Sequence, residues 1–343
     1  MATDDTDLDA AIVRCTIYHP MGMMSANQTV VTEFALLGLS ETWEVQLILF
    51  VVFLLLYIGT LFSNILIFSA IFRDQRLSDS PMFFLLGQLA FQDLCLSSFA
   101  IPRSLFDYVA KCHVISFDGC MAQIFFVHVF TGSEMLLLVA MAYDRYVAIC
   151  HPLHYISLMS RHHCIGLVLA SWAGGLLHGT VQLCFIINVP FCGPNQVDSF
   201  FCDLPLVIKL ACTDTYPLEV MMVTNSGILS LVSFVGLLIS YGFILYTIRS
   251  RGPSEGTTKA ASTCTSHLIV VTMYFGPCLF IYLRPSARFM IDKVLCVFYT
   301  CVTPLLNPAI YALKNKEMKA AIGSLLARLS GQVSQHLLFL TMK

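Results

Sequence analysis

Charged side chains are scarce in this chain. Only 12% of its 343 residues are Asp, Glu, Lys or Arg, whereas 57% are hydrophobic. A soluble globular domain carries about twice that share of charge, so a water-facing surface cannot be covered here. That excludes a soluble enzyme and an extended disordered chain. A basic excess is missing as well: 19 Lys and Arg face 21 Asp and Glu, net −2, which leaves no electrostatic footprint for nucleic acid. The polar–apolar alternation of a membrane β-barrel strand is also missing. No internal repeat, low-complexity tract or soluble domain stands out, and no His pair sits at metal-ligand spacing inside an apolar run. Neither a metal nor a cofactor is expected.

What the chain has is long apolar runs and a mean hydropathy of +0.78. A bilayer-crossing helix needs about 20 mostly apolar residues. Runs of that kind occupy residues 46–72, 81–104, 119–149, 164–188, 218–248, 259–283 and 291–313. The expectation is an all-α membrane protein with a seven-transmembrane helix bundle and lipid as its solvent.

Loop charge sets the orientation. The loops holding Arg73, Arg76, Arg145, Arg161, Arg249, Arg251, Lys259, Lys314, Lys316, Lys319 and Arg328 are basic, and those on the other side are acidic. Basic loops stay cytoplasmic, which puts the N-terminus outside and the C-terminus inside. The sequon Asn27-Gln28-Thr29 then falls on the outer side, where Asn27 can be glycosylated. The expected organisation is an extracellular leader at 1–45, a receptor domain at 46–313 and a cytoplasmic tail at 314–343. The acidic first residues lack the basic n-region of a cleavable signal peptide.

Polar groups inside the runs stand out against this background. Asp93 and Glu134 sit mid-span, with Asn64, Ser98, Ser133 and Asn307 at comparable depth. A charge at the bilayer centre is costly, so such groups face the bundle interior. Two readings stand side by side: a cation or water site that rearranges between two states, and a satisfied network that ties helices together. Pro277, Pro304 and Pro308 each remove a helix hydrogen bond and bend a span. On the outer side, a bridge from Cys120 into the long loop at 189–217 would pull that loop over the bundle as a lid. A second bridge inside the loop would fix its shape, and spacing leaves the connectivity open.

Four ordered motifs carry a family resemblance. Met141-Ala142-Tyr143-Asp144-Arg145-Tyr146-Val147-Ala148-Ile149-Cys150 ends the third span, and Lys259-Ala260-Ala261-Ser262-Thr263-Cys264 opens the sixth. Pro304-Leu305-Leu306-Asn307-Pro308-Ala309-Ile310-Tyr311 lies in the seventh, and Cys192, Cys202 and Cys212 punctuate the long loop. The chain resembles an olfactory receptor, class II type, of the class A (rhodopsin-like) G-protein-coupled receptors. The resemblance implies disulfides Cys120–Cys202 and Cys192–Cys212. It also implies a G-protein switch built on Asp144, Arg145 and Tyr146, with Tyr241, Asn307, Pro308 and Tyr311. In that reading Arg145 pairs with Asp144 at rest and reaches the G protein, Tyr241 or Tyr311 when the sixth span swings out. Partners implied are a small odorant, a stimulatory olfactory-type heterotrimeric G protein that raises cyclic AMP, and membrane lipid. The implied location is the plasma membrane of olfactory cilia.

The candidate odorant contacts are Val127, His128, Thr131 and Gly132 on one wall, Cys278 and Tyr282 on another, and Asn225 as a polar contact. The third span offers no Asp on this face to hold an ammonium, which argues against amines. Departures from the family pattern are few. Tyr274-Phe275 reverses the usual order, removing the hydroxyl from the aromatic toggle position. Ser199 replaces the His that, with Cys202 and Asp203, has been suggested to bind copper in some relatives. Rival classes lack their signatures: Tyr143-Asp144 has no Gly-x-Gly-Asp partner for an intramembrane protease, and a transporter would show repeated halves.

Overall fold

A computed structural model describes residues 31–40, 42–110, 113–192, 194–252, 254–284 and 290–341. Long helices dominate it because the apolar runs satisfy their backbone groups internally, which lipid demands. We label them α1 (Trp43–Arg73), α2 (Pro81–Ala110), α3 (Phe117–Cys150), α4 (Arg161–Ile186), α5 (Tyr216–Arg251), α6 (Glu255–Tyr282), α7 (Met290–Val297 continued through Thr303–Lys314) and α8 (Lys316–Thr341). The helices α1 to α6 are long and apolar enough to cross a membrane. The seventh helical stretch is interrupted by a π-turn at Phe298–Val302, and α5 carries another at Val223–Ile228. Such bulges re-aim side chains and gather at functional sites.

Helix bounds fall within a few residues of the apolar runs, with one exception. The second helix runs on from 104 to Ala110, because Arg103 and Asp107 form an i,i+4 ion pair (2.9 Å) that extends it past its apolar stretch. Burial ranks the helices. Most of the α3 surface is covered, whereas α1 leaves Leu47, Ile48, Leu55 and Phe62 exposed for lipid. The third helix is thus the axis of the bundle.

Its closest neighbour is α4, and glycine makes that approach feasible. A Cβ on Gly175 would stand 2.4 Å from the Val129 carbonyl oxygen, and one on Gly179 would stand 2.5 Å from Val129 Cγ2. Small residues at helix crossings in lipid allow this backbone contact.

The all-α expectation needs one amendment. A three-stranded sheet caps one end, in the order β2-β1-β3, with β1 at Glu33–Leu36, β2 at Val114–Ser116 and β3 at Gln196–Val197. Antiparallel pairing sets Phe34 opposite Ile115, and parallel pairing sets Leu36 opposite Val197. Phe34 and Leu36 alternate inward and are buried, with the Phe34 ring edge-on to Phe191 at 5.4 Å. The disulfides Cys120–Cys202 and Cys192–Cys212 are both present, each with Cα atoms 5.4 Å apart. The first ties the long loop to the start of α3. Gln123 reinforces it by accepting from the Cys202 backbone N–H (2.8 Å) and donating to the Phe99 carbonyl (2.9 Å).

The glycine contact yields a test. Gly175→Val forces a branched side chain into backbone and should abolish surface delivery of an epitope-tagged chain. Gly236→Ala, with nothing within 4 Å, should leave delivery near wild type. Flow cytometry on intact cells reads both.

Candidate functional site

Three polar stations lie along the bundle axis between the lid and the opposite end. Nearest the lid is a buried polar face on α3. His128 and Thr131 are buried on the same face, one turn apart, with Val127 buried beside them. The His128 Nδ1 stands 2.7 Å from the Ile124 carbonyl oxygen, while among the described residues Nε2 has no hydrogen-bond partner, and neither does Thr131 Oγ1. Tyr282 of α6 presents its ring at 6.2 Å from that of His128, and Cys278 lies one turn away from it, fully buried. His128 and Tyr282 thus meet across α3 and α6, with Val127, Thr131 and Cys278 buried on the same two helices.

Gly132 and Asn225 belong to a neighbouring seam instead. A Cβ on Gly132 would meet His178 Cδ2 at 2.9 Å, so Gly132 makes room for that imidazole of α4. Asn225, in the α5 π-turn, donates to the His178 carbonyl (3.2 Å). Gln182 Nε2 donates to Ser226 Oγ (2.6 Å), which lies 3.5 Å from His178 Nε2. His178, Gln182 and Ser226 were not singled out in the sequence. Their apolar surroundings on α4 and α5 gave no motif to flag them.

Tyr274 supplies a contact that the reversed Tyr-Phe order had removed from expectation. Its hydroxyl donates to the Thr131 carbonyl (2.8 Å) from full burial, while Phe275 stacks on Phe234 at 5.9 Å. The hydroxyl has moved one residue along α6 and still reaches α3.

The middle station is the carboxylate pair. Asn307 Nδ2 donates to Asp93 (3.1 and 3.2 Å to its two oxygens) and to Glu134 Oε1 (3.3 Å), all fully enclosed. Two carboxylates around one amide cannot both stay charged and unaccompanied in a dry interior; a shared proton or a small cation must offset one charge. Asn64 serves an adjoining need. Pro308 has no N–H, so the carbonyl of Pro304, four residues earlier, loses its helix donor. Asn64 Nδ2 fills that gap at 2.8 Å and also donates to the Thr60 carbonyl (3.0 Å). Ser98 is set apart: it is exposed and lies 3.3 Å from the Tyr57 hydroxyl, while Ser133 donates to its own helix.

At the far end, Arg145 Nε donates to Asp144 Oδ2 (2.7 Å) and the guanidinium engages the same oxygen a second time. Tyr155, in the turn after α3, donates to the other oxygen, Oδ1, at 2.8 Å. Burial, then the Asp144 charge, pushes the Tyr155 phenol up, so it remains a proton donor. Sequence reading missed Tyr155 because nothing in spacing marks a loop residue eleven positions away as a partner. Tyr146 pairs with His151 instead (3.2 Å). Tyr241 of α5 is bonded to His267 Nδ1 of α6, which ties those helices together at this end. The Tyr311 side chain and Asn27 lie outside the described residues.

Known proteins match this arrangement closely in sequence. A family model described as olfactory receptor covers residues 53–328. The chain belongs to the olfactory receptor family. Olfactory receptor 4K15 of Homo sapiens is 56% identical over 89% of this chain and 94% of its own length. Human olfactory receptor 4K14 is 56% identical (87% and 96%), and 4K1 is 53% identical (88% and 97%). Membership makes the chain a multi-pass membrane receptor rather than an enzyme.

The carboxylate station yields the second test. Asn307→Leu leaves Asp93 and Glu134 without their common donor and should lower stability by about 1–3 kcal/mol. Adding Asp93→Asn should recover part of that loss, because the two positions are coupled. Thermal unfolding in detergent measures each.

Proposed function

We propose that the chain is an odorant-activated receptor that spans the plasma membrane seven times, with the segment before α1 outside and the tail from residue 314 inside. The asymmetry of loop charge supports this orientation, and the Asn27 sequon then lies where glycosylation occurs. The volatile ligand binds below the lid, against Val127, His128 and Thr131 of α3 and Cys278 and Tyr282 of α6, with Gly132 and Asn225 shaping the adjacent seam. The output is nucleotide exchange on a stimulatory olfactory-type G protein and a rise in cyclic AMP, in the cilia of olfactory sensory neurons.

The observation that carries the mechanism is the clamp on Arg145. Asp144 holds the guanidinium from one oxygen while Tyr155 occupies the other. A charge-assisted pair of this kind is strong where water is scarce. Outward tilt of α6, bent at Pro277, would separate His267 from Tyr241 and open a path for Arg145 toward the G protein. The carboxylate station, with Asn307 and Pro308 of α7, couples α2 and α3 to that movement. Activation is then a population shift: an odorant acts only through its preference for the tilted bundle, and affinity without preference moves nothing.

Two variants test the clamp. In cells expressing the tagged chain, Arg145→Ala should abolish ligand-driven cyclic AMP at unchanged surface level; a preserved response overturns its role. Tyr155→Phe removes one hydrogen bond to Asp144, worth about 1 kcal/mol, and should raise basal nucleotide exchange roughly fivefold.

A further inference from the structure

The buried α3 face around His128 carries information about what it can bind. A backbone carbonyl can only accept a hydrogen bond, so the His128 nitrogen facing the Ile124 oxygen at 2.7 Å must carry a proton. A second proton would charge the ring deep in the bundle, where no carboxylate of the described residues stands at hydrogen-bond distance from it. The neutral ring therefore presents Nε2 as a bare lone pair, buried and without a donor.

The neighbouring histidine does not supply that donor. His178 lies 5.6 Å away between ring centres, and its Nε2 faces Ser226 Oγ. Because Gln182 already donates to that oxygen, the Ser226 proton is left for His178 Nε2; the His178 proton then sits on Nδ1, which bonds to no atom among the described residues, His128 Nε2 included. Thr131 adds a second opening. A helical threonine usually donates back to the carbonyl one turn earlier, yet Thr131 Oγ1 has no partner and is buried on the same face as His128. The wall thus lacks one donor, for Nε2, and leaves one hydroxyl free to give or receive.

We infer that His128 and Thr131 select ligands bearing a hydroxyl group, an alcohol or phenol whose O–H donates to His128 Nε2 and whose oxygen accepts from Thr131 Oγ1. An aldehyde, ester or ether accepts only and would place a lone pair against a lone pair. A neutral hydroxyl also avoids the counter-charge that an amine would need. This inference rests on the odorant-receptor reading proposed above and narrows its ligand class.

The test uses the full chain in cells, a cyclic AMP readout and matched probes: linear alkanols from hexanol to decanol with the corresponding aldehydes and methyl ethers, and 4-ethylphenol with 4-ethylanisole. Hydroxyl members should be at least about tenfold more potent than their matched partners. In His128→Phe that advantage should vanish, and in Thr131→Val, which keeps the shape, it should shrink roughly threefold. Equal potency of an ether or aldehyde, an advantage that survives His128→Phe, or silence of every hydroxyl probe overturns the inference. Basal exchange separates this from failure of the receptor reading. If Tyr155→Phe raises exchange while the panel behaves wrongly, only the ligand class falls; if no condition produces exchange, the receptor reading falls.

Discussion

Lipid offers no water to complete a hydrogen bond that the protein leaves unmade, and the asparagines inside this bundle are placed by that constraint. Asn307 shows how tightly that binds the helices to one another. Its single amide nitrogen serves Asp93 of α2 and Glu134 of α3 from α7. One turn earlier, Asn64 of α1 donates to the carbonyl that Pro308 deprives of its partner. Four helices are therefore held in register by two asparagine amides, and neither can leave without stranding a buried acceptor. Rearrangement has to be concerted, which is what a two-state receptor requires.

The helices around this core divide the labour. The α3–α4 contact, backbone against glycine, is rigid and has no slack for a side chain. The α5–α6 pair is joined at its far end by Tyr241 and His267, and α6 carries a proline at 277. In the proposed mechanism α6, not α4, is therefore the helix that moves, with Arg145 at the end of the tightly packed α3.

Much of this was legible in the sequence, for identifiable reasons. Helix positions followed from runs of apolar residues, since lipid leaves the backbone no alternative to internal hydrogen bonding. The carboxylates at 93 and 134 stood out because charge is so rare in such runs. What stayed hidden was partnership across long separations. Tyr155 carries no periodic signal, and the seam of His178, Gln182 and Ser226 arises only when α4 and α5 meet. The strand at Glu33–Leu36 is four residues long, too short to distinguish from the apolar sequence that follows, and its partners lie about 80 and 160 positions away. The shifted hydroxyl of Tyr274 shows a different limit. A motif records which residue is usual at a position, whereas only the α6 geometry shows that the Tyr274 hydroxyl reaches the Thr131 carbonyl.

The central place of β1 in the capping sheet has a consequence for how the molecule is built. The strand is synthesised before any of the helices, yet one of its two neighbours, β3, arrives only after α4 has been made. Until then its edge toward β3 stands open, and the chain around Cys202 is not there to bond with Cys120. Completion of the cap thus has to wait until the chain through α4 has been made. A chain that ends before residue 196 leaves both the β1 edge and the Cys120 thiol without their partners.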